Sequence, residues 1–150
     1  KENGAYSFNF DKFRRWVELA KKVGIKYFEI SHLFSQWGAF AAPKVMAEVD
    51  GEYKRIFGWE TEAAGEEYST FLHTFLPELI KVIEELGIKD VTVFHVSDEP
   101  HGEEQLANYI EAKKIIASSK ATRPNPAYFA SLFMFSFSVC SCKRFIERIS

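Results

Sequence analysis

Along residues 7–24, SFNFDKFRRWVELAKKVG, apolar side chains recur at Phe10, Phe13, Val17, Leu19 and Ala20 with charges between them. That spacing predicts an amphipathic helix, capped by Asp11 and stopped at Gly24. The next segment, IKYFEIS (25–31), is short and rich in β-forming residues and reads as a strand. The same order returns later: LPELIKVIEELG (76–87) has a helical pattern ended by Gly87, and IKDVTVFHVS (88–97) has a strand pattern. Pro77 predicts a kink or a restart within that helix. A third helix is predicted over GEEQLANYIEAKKIIASS (102–119), with acids in its first turn and lysines towards its end, as the helix dipole favours. Helices alternating with strands define an α/β protein with a parallel sheet.

The long stretch between the first strand and the second helix carries its own signal. KVMAEV and EYKRIF flank Asp50-Gly51, the dipeptide suited to the positive φ angles of a two-residue turn, so a β-hairpin is predicted inside a βα loop. In α/β proteins ligands bind at the C-terminal ends of strands. An insertion there bearing Trp37, Tyr53, Phe57 and Trp59 suits the wall of a site, the alternative being that these rings only pack the insertion onto the domain.

Composition narrows the classes of function. With 150 residues, 47% of them hydrophobic and 16% aromatic, the chain can bury a core of single-domain size. A net charge of -2 with mixed signs offers no footprint for nucleic acid or an anionic membrane. A small neutral ligand fits better. The chain begins at Lys1 with no signal-peptide pattern, which leaves its cellular location open, as is its oligomeric state. The two cysteines, Cys140 and Cys142, match no zinc-ligand spacing, and His32, His73, His95 and His101 show no HExxH or other compact set. No phosphate-binding glycine motif is present. Neither a metal nor a cofactor is therefore expected.

The most informative stretch is VTVFHVSDEPHG (91–102), where an apolar strand pattern ends on adjacent acids, Asp98 and Glu99, and Pro100 holds the preceding residue extended. Strand alternation puts Val91, Val93, His95, Ser97 and Glu99 on one face and Phe94, Val96 and Asp98 on the other, an alternation that can relax at the strand end. In the first strand Tyr27, Glu29 and Ser31 form a matching polar set. Polar faces on two parallel strands point to a barrel interior or a pocket, with His95 and Glu29 inside it and His32, just beyond the first strand, either lining it or bonding structurally. Crowded carboxylates can divide acid and base roles, as glycoside hydrolysis requires. The competing reading is an acidic cap ahead of a helix.

Taken together, SHLFSQWGA, APKVMAEVDGEYKRIFGWET and FHVSDEP resemble the catalytic barrel of glycoside hydrolase family 123, over roughly residues 8–118. The resemblance implies a partial (β/α)8 TIM barrel occupying residues 1–118. It also implies action on β-linked N-acetylgalactosaminides by substrate-assisted, retaining hydrolysis. In that scheme Asp98 orients the 2-acetamido group and stabilises the oxazolinium-like intermediate, while Glu99 protonates the leaving oxygen and then activates water. Substrate-assisted hydrolases dispense with an enzymic nucleophile. Two alternatives stay open. One is a double-displacement glycosidase whose nucleophile is Glu29 or a carboxylate further downstream; the other is a sugar-binding barrel fragment without turnover.

A whole barrel needs about 250 residues, so this one is expected to be partial. Residues 119–150 do not follow the family's strand-helix order, and no domain is assigned to them; a misread or truncated gene end is the leading expectation for their origin. The apolar run over 127–140 is shorter than the ~20 residues of a membrane span.

Overall fold

The computed structural model describes residues 1, 4–36, 38–98 and 100–118. Trp37, Glu99 and the whole of 119–150, with Cys140 and Cys142, lie outside the described residues. The elements are α1 (Asp11–Lys22), β1 (Phe28–Ile30), β2 (Val45–Val49), β3 (Glu52–Phe57), α2 (Glu66–Glu85), a 3-10 turn (Lys89–Val91), β4 (Thr92–Phe94) and α3 (Gly102–Ser118). They form a mixed α/β structure with two small sheets, and no closed barrel among the described residues.

β1 and β4 pair in parallel with Phe28 opposite Thr92, Glu29 opposite Val93 and Ile30 opposite Phe94. Both strands are shorter than their sequence patterns suggest. Residues 89–91 turn tightly instead of extending, and the buried Thr92 hydroxyl donates back to Ile88 O at 2.7 Å. Beyond β4 the ladder adds one bond, His95 N–H to Ile30 O (3.3 Å), which sets His95 beside the end of β1.

The inserted hairpin forms as its turn chemistry requires. Asp50 and Gly51 have φ of 52° and 84°, the left-handed pair that lets two strands reverse in two residues, and a register irregularity falls between Val45 and Met46. Phe57 is buried against Tyr68 and Phe71, so it packs the hairpin onto the core and lies away from the strand ends.

Two further expectations are corrected. Asp11 is the first residue of α1 rather than its cap; Asn9 Oδ1 accepts the Asp11 N–H at 2.7 Å. α2 runs unbroken from 66 to 85 through Pro77. Buried Leu76 and Leu79 on either side of the proline anchor the helix, and this packing outweighs the one backbone bond that proline omits.

The core has two parts. One gathers Phe34, Ala42, Phe57, Tyr68, Leu72, Leu76 and Val96 around the N-terminal half of α2; the other joins Val17 and Ala20 of α1 to Phe28, Leu79, Ile83 and Ile88. Phe75 and Phe94 pack against both.

Candidate active site

The C-terminal ends of β1 and β4 lie side by side because the strands are parallel, and the residues leaving them are polar. Glu29 lies within β1, His32 two residues after it; His95 and Asp98 follow β4. The loop after β1 is fixed from below. Leu33 and Phe34 are buried, and the Tyr68 hydroxyl donates to Leu33 O at 2.6 Å. Burial holds the Tyr68 phenol well above its ordinary pKa, so it stays a neutral donor. Ser35 tightens the same loop, its Oγ accepting the Ala41 N–H (3.0 Å) while its backbone oxygen accepts the Ser97 hydroxyl (2.9 Å). That last bond ties the β4 exit directly to the β1 exit, one residue before Asp98.

The four polar side chains form one chain of contacts. His95 Nδ1 lies 2.6 Å from Glu29 Oε1, and since a carboxylate only accepts, Nδ1 carries the proton. His95 Nε2 then lies 3.3 Å from Asp98 Oδ1, which His32 Nε2 also approaches at 3.1 Å. The two imidazoles pack with ring centroids 4.0 Å apart at 56°. Side-chain exposure is 17% for His95, 25% for His32 and 33% for Asp98, a half-buried site that a ligand can reach. Oδ1 of Asp98 is thus approached by both rings, while Oδ2 has no partner among the described residues.

The structure therefore brings together four of the residues singled out in the sequence: Glu29, His32, His95 and Asp98. Tyr53 and Trp59 are on or beside the hairpin and strongly exposed, at 72% and 83%, with no ring or hydrogen-bond contact to the cluster among the described residues. Trp37 and Glu99 fall outside the described residues. A recess of about 330 Å³ opens elsewhere, lined by Tyr6, Val49, Asp50, Lys54 and Glu67 among others, and none of the four clustered residues lines it. Ser35 and Tyr68, which fix the loop, carry no signal in the sequence; the Tyr68 hydroxyl bonds a backbone oxygen far away in the chain, and Ser35 accepts from the Ala41 N–H and the distant Ser97 hydroxyl.

One ring nitrogen each of His32 and His95 and one Asp98 oxygen also lie within 4.8 Å of one another, a grouping with the makings of a cation site. The sequence could not display it, because the spacings are long and only the parallel pairing closes them. No helix among the described residues is long and apolar enough to cross a membrane.

A half-buried carboxylate held by imidazoles at the mouth of parallel strands defines an α/β protein with an enzyme-like polar site. The match to known families makes the class specific: the model of the glycoside hydrolase 123 catalytic domain covers residues 1–130, and the chain belongs to that family. The family is one of glycosidases, and its substrates are carbohydrates. No curated protein matches the chain.

Proposed function

We propose that the protein hydrolyses β-linked N-acetylgalactosaminides with retention, using the substrate's own acetamido group as nucleophile. Residues 1–118 would supply part of a (β/α)8 barrel, with the parallel β1–β4 pair as two of its strands. The observation that carries this reading is the state of Asp98. Its Oδ1 is hydrogen-bonded to His32 with His95 Nε2 3.3 Å away, and its Oδ2 has no partner among the described residues, the arrangement of a carboxylate positioned to receive one N–H from a ligand. Asp98 accepts the acetamido N–H and opposes the positive charge of the cyclising intermediate. Glu99, next in the chain, protonates the leaving oxygen and then deprotonates the attacking water. His32 holds Asp98, His95 packs beside both, and Glu29 orients His95. Trp37, Tyr53 and Trp59 would supply the rings that stack on sugar faces.

Family membership and the acid pair support this reading, and so does the engagement of Glu29. With Oε1 accepting from His95 at 2.6 Å, Glu29 suits the part of an orienting group better than that of the nucleophile in a double-displacement scheme. A thiazoline mimic of the cyclised acetamido intermediate separates the two: it should inhibit tightly, and hydrolysis of a glycoside lacking the acetamido group at a similar rate would overturn substrate assistance. Asp98→Asn should lower turnover about 10²–10³-fold on natural and activated aryl substrates alike, because the intermediate loses its counter-charge whatever leaves. Glu99→Gln should cost about 10²–10⁴-fold on natural substrates and far less on aryl glycosides, whose leaving groups need little protonation. Equal losses for Glu99→Gln across leaving groups would remove it from the role of acid. A protein that binds the sugar but never turns it over would instead be a carbohydrate-binding barrel fragment.

A further inference from the structure

We propose that Glu29, His32, His95 and Asp98 form a binding site for a zinc-like divalent transition metal, and that the metal competes with the sugar for Asp98. The competition rests on the function proposed above; the metal site does not. The first argument is the ring nitrogen left over. With Nδ1 of His95 taken by Glu29 Oε1 at 2.6 Å, Nε2 is the nitrogen left for a ligand, and it stands 3.3 Å from Asp98 Oδ1, close enough for one ion to bond both.

The second argument is distance. Zinc bonds to imidazole nitrogen and carboxylate oxygen are about 2.0–2.1 Å, which sets tetrahedral donor atoms about 3.3 Å apart. Asp98 Oδ1 stands 3.1 Å from His32 Nε2 and 3.3 Å from His95 Nε2, and one donor atom of each residue lies within 4.8 Å of the other two. The third argument is support. A ligating histidine commonly donates its other N–H to a carboxylate, which fixes the tautomer and makes the ring a better donor, and Glu29 stands in that place for His95. The loop carrying His32 is held by the Tyr68 hydroxyl and tied to the β4 exit through Ser97 and Ser35, so the donors from the two strands are kept in register.

The donor set also selects the ion. Two imidazoles with a single carboxylate oxygen suit zinc, nickel or copper and suit magnesium or calcium poorly. Three protein donors leave a fourth position open to water or a substrate group. With Asp98 Oδ1 bound to the metal, the ion neutralises the carboxylate and sets a positive charge beside the place where the cyclising intermediate develops its own, so occupancy switches the glycosidase off.

The test is zinc titration of the 150-residue chain carrying Cys140→Ser and Cys142→Ser, so that thiols contribute nothing, read by competition with a chromophoric chelator. One equivalent should bind. His32→Ala, His95→Ala and Asp98→Asn should each weaken binding by at least tenfold, and Glu29→Gln by about 10–100-fold. His73→Ala and His101→Ala, outside the cluster, should leave it unchanged, with circular dichroism confirming that each variant is folded. Absence of stoichiometric binding, or equal affinity in all these variants, overturns the site. The hydrolysis assay distinguishes the two proposals. A chain that binds zinc at these residues but has no glycosidase activity keeps the metal site and refutes the function. Zinc binding together with inhibition that rising substrate relieves supports both, whereas full activity with zinc bound at these residues refutes the competition.

Discussion

Tyr68 shows how a single buried hydroxyl reaches the site. Its donation to Leu33 O at 2.6 Å anchors the residue adjacent to His32, and its ring packs against Phe34 and Phe57. Tyr68→Phe keeps the ring and strands the carbonyl, which should cost roughly 1–3 kcal/mol at neutral pH. The sign of the pH effect follows from burial. Because the folded phenol holds its proton above the ordinary tyrosine value, stability is fully present below about pH 10 and is lost as pH rises beyond it, where only the unfolded chain ionises. Urea midpoints measured from pH 8 to 11 should fall more steeply for the wild type than for Tyr68→Phe; parallel curves would contradict this. At this scale the sequence names the polar site residues one by one. Glu29, His32, His95 and Asp98 each stand out as polar positions at strand ends, but nothing in the spacing of 66 residues between His32 and Asp98 shows that they touch.

Elements were legible where a local rule decides them. The Asp50-Gly51 turn and the ends of α1 and α3 follow from turn chemistry, helical period and helix breakers, and the structure has them close to where the pattern puts them. At Pro77 the helix does not restart, because tertiary packing on both sides of it overrides a local penalty. The strands are shorter than their apolar runs, since a run of β-forming residues measures burial as much as extension; Ile88 is buried yet precedes a 3-10 turn. What holds the loop after β1 against α3 is a contact no pattern predicts. Gly38 has φ of 100°, and a Cβ there would stand 2.6 Å from Cγ of Gln105, whose Oε1 accepts the His101 N–H at 2.7 Å. Gly38→Ala should destabilise by roughly 1–3 kcal/mol through this overlap, with backbone strain in addition. In a Gln105→Ala background the overlap with Cγ is removed while the approach to the Cβ of residue 105, 2.8 Å, and the backbone strain stay, so a double-mutant cycle should return a coupling of about 0.5–3 kcal/mol. Strict additivity would show that the loop and α3 do not meet there.

The whole molecule is organised by α2, not by its sheets. A two-stranded parallel pair of three residues per strand has little capacity to hold itself, and the hairpin is a separate sheet. Cohesion comes from one helix that presents its N-terminal half to the hairpin and the loop after β1, and its C-terminal half to α1 and β1. Arg14 of α1 pairs with Glu85 at the end of α2 and holds that carboxyl below its usual range, which adds a surface tie between the same two helices. The joint between the halves is aromatic. Phe75 stacks on Phe71 at 5.7 Å and meets Phe8 edge-on at 5.2 Å, and Phe94, the residue before His95, touches both core parts. Phe75 is only partly buried, so Phe75→Ala should cost less than the ~3–5 kcal/mol of a fully buried phenylalanine, about 2–3 kcal/mol, and separate the two halves. In a background where Trp37 and Trp59 are phenylalanine, Trp16 reports the α1 half alone, since it packs edge-on against Phe28. Its fluorescence transition should then come apart from the unfolding seen by far-ultraviolet circular dichroism, whereas the two coincide in the unsubstituted joint. Phe75→Leu, which refills most of the space, should bring the transitions back together, and coincident transitions in Phe75→Ala would mean that the halves are coupled by something other than this ring.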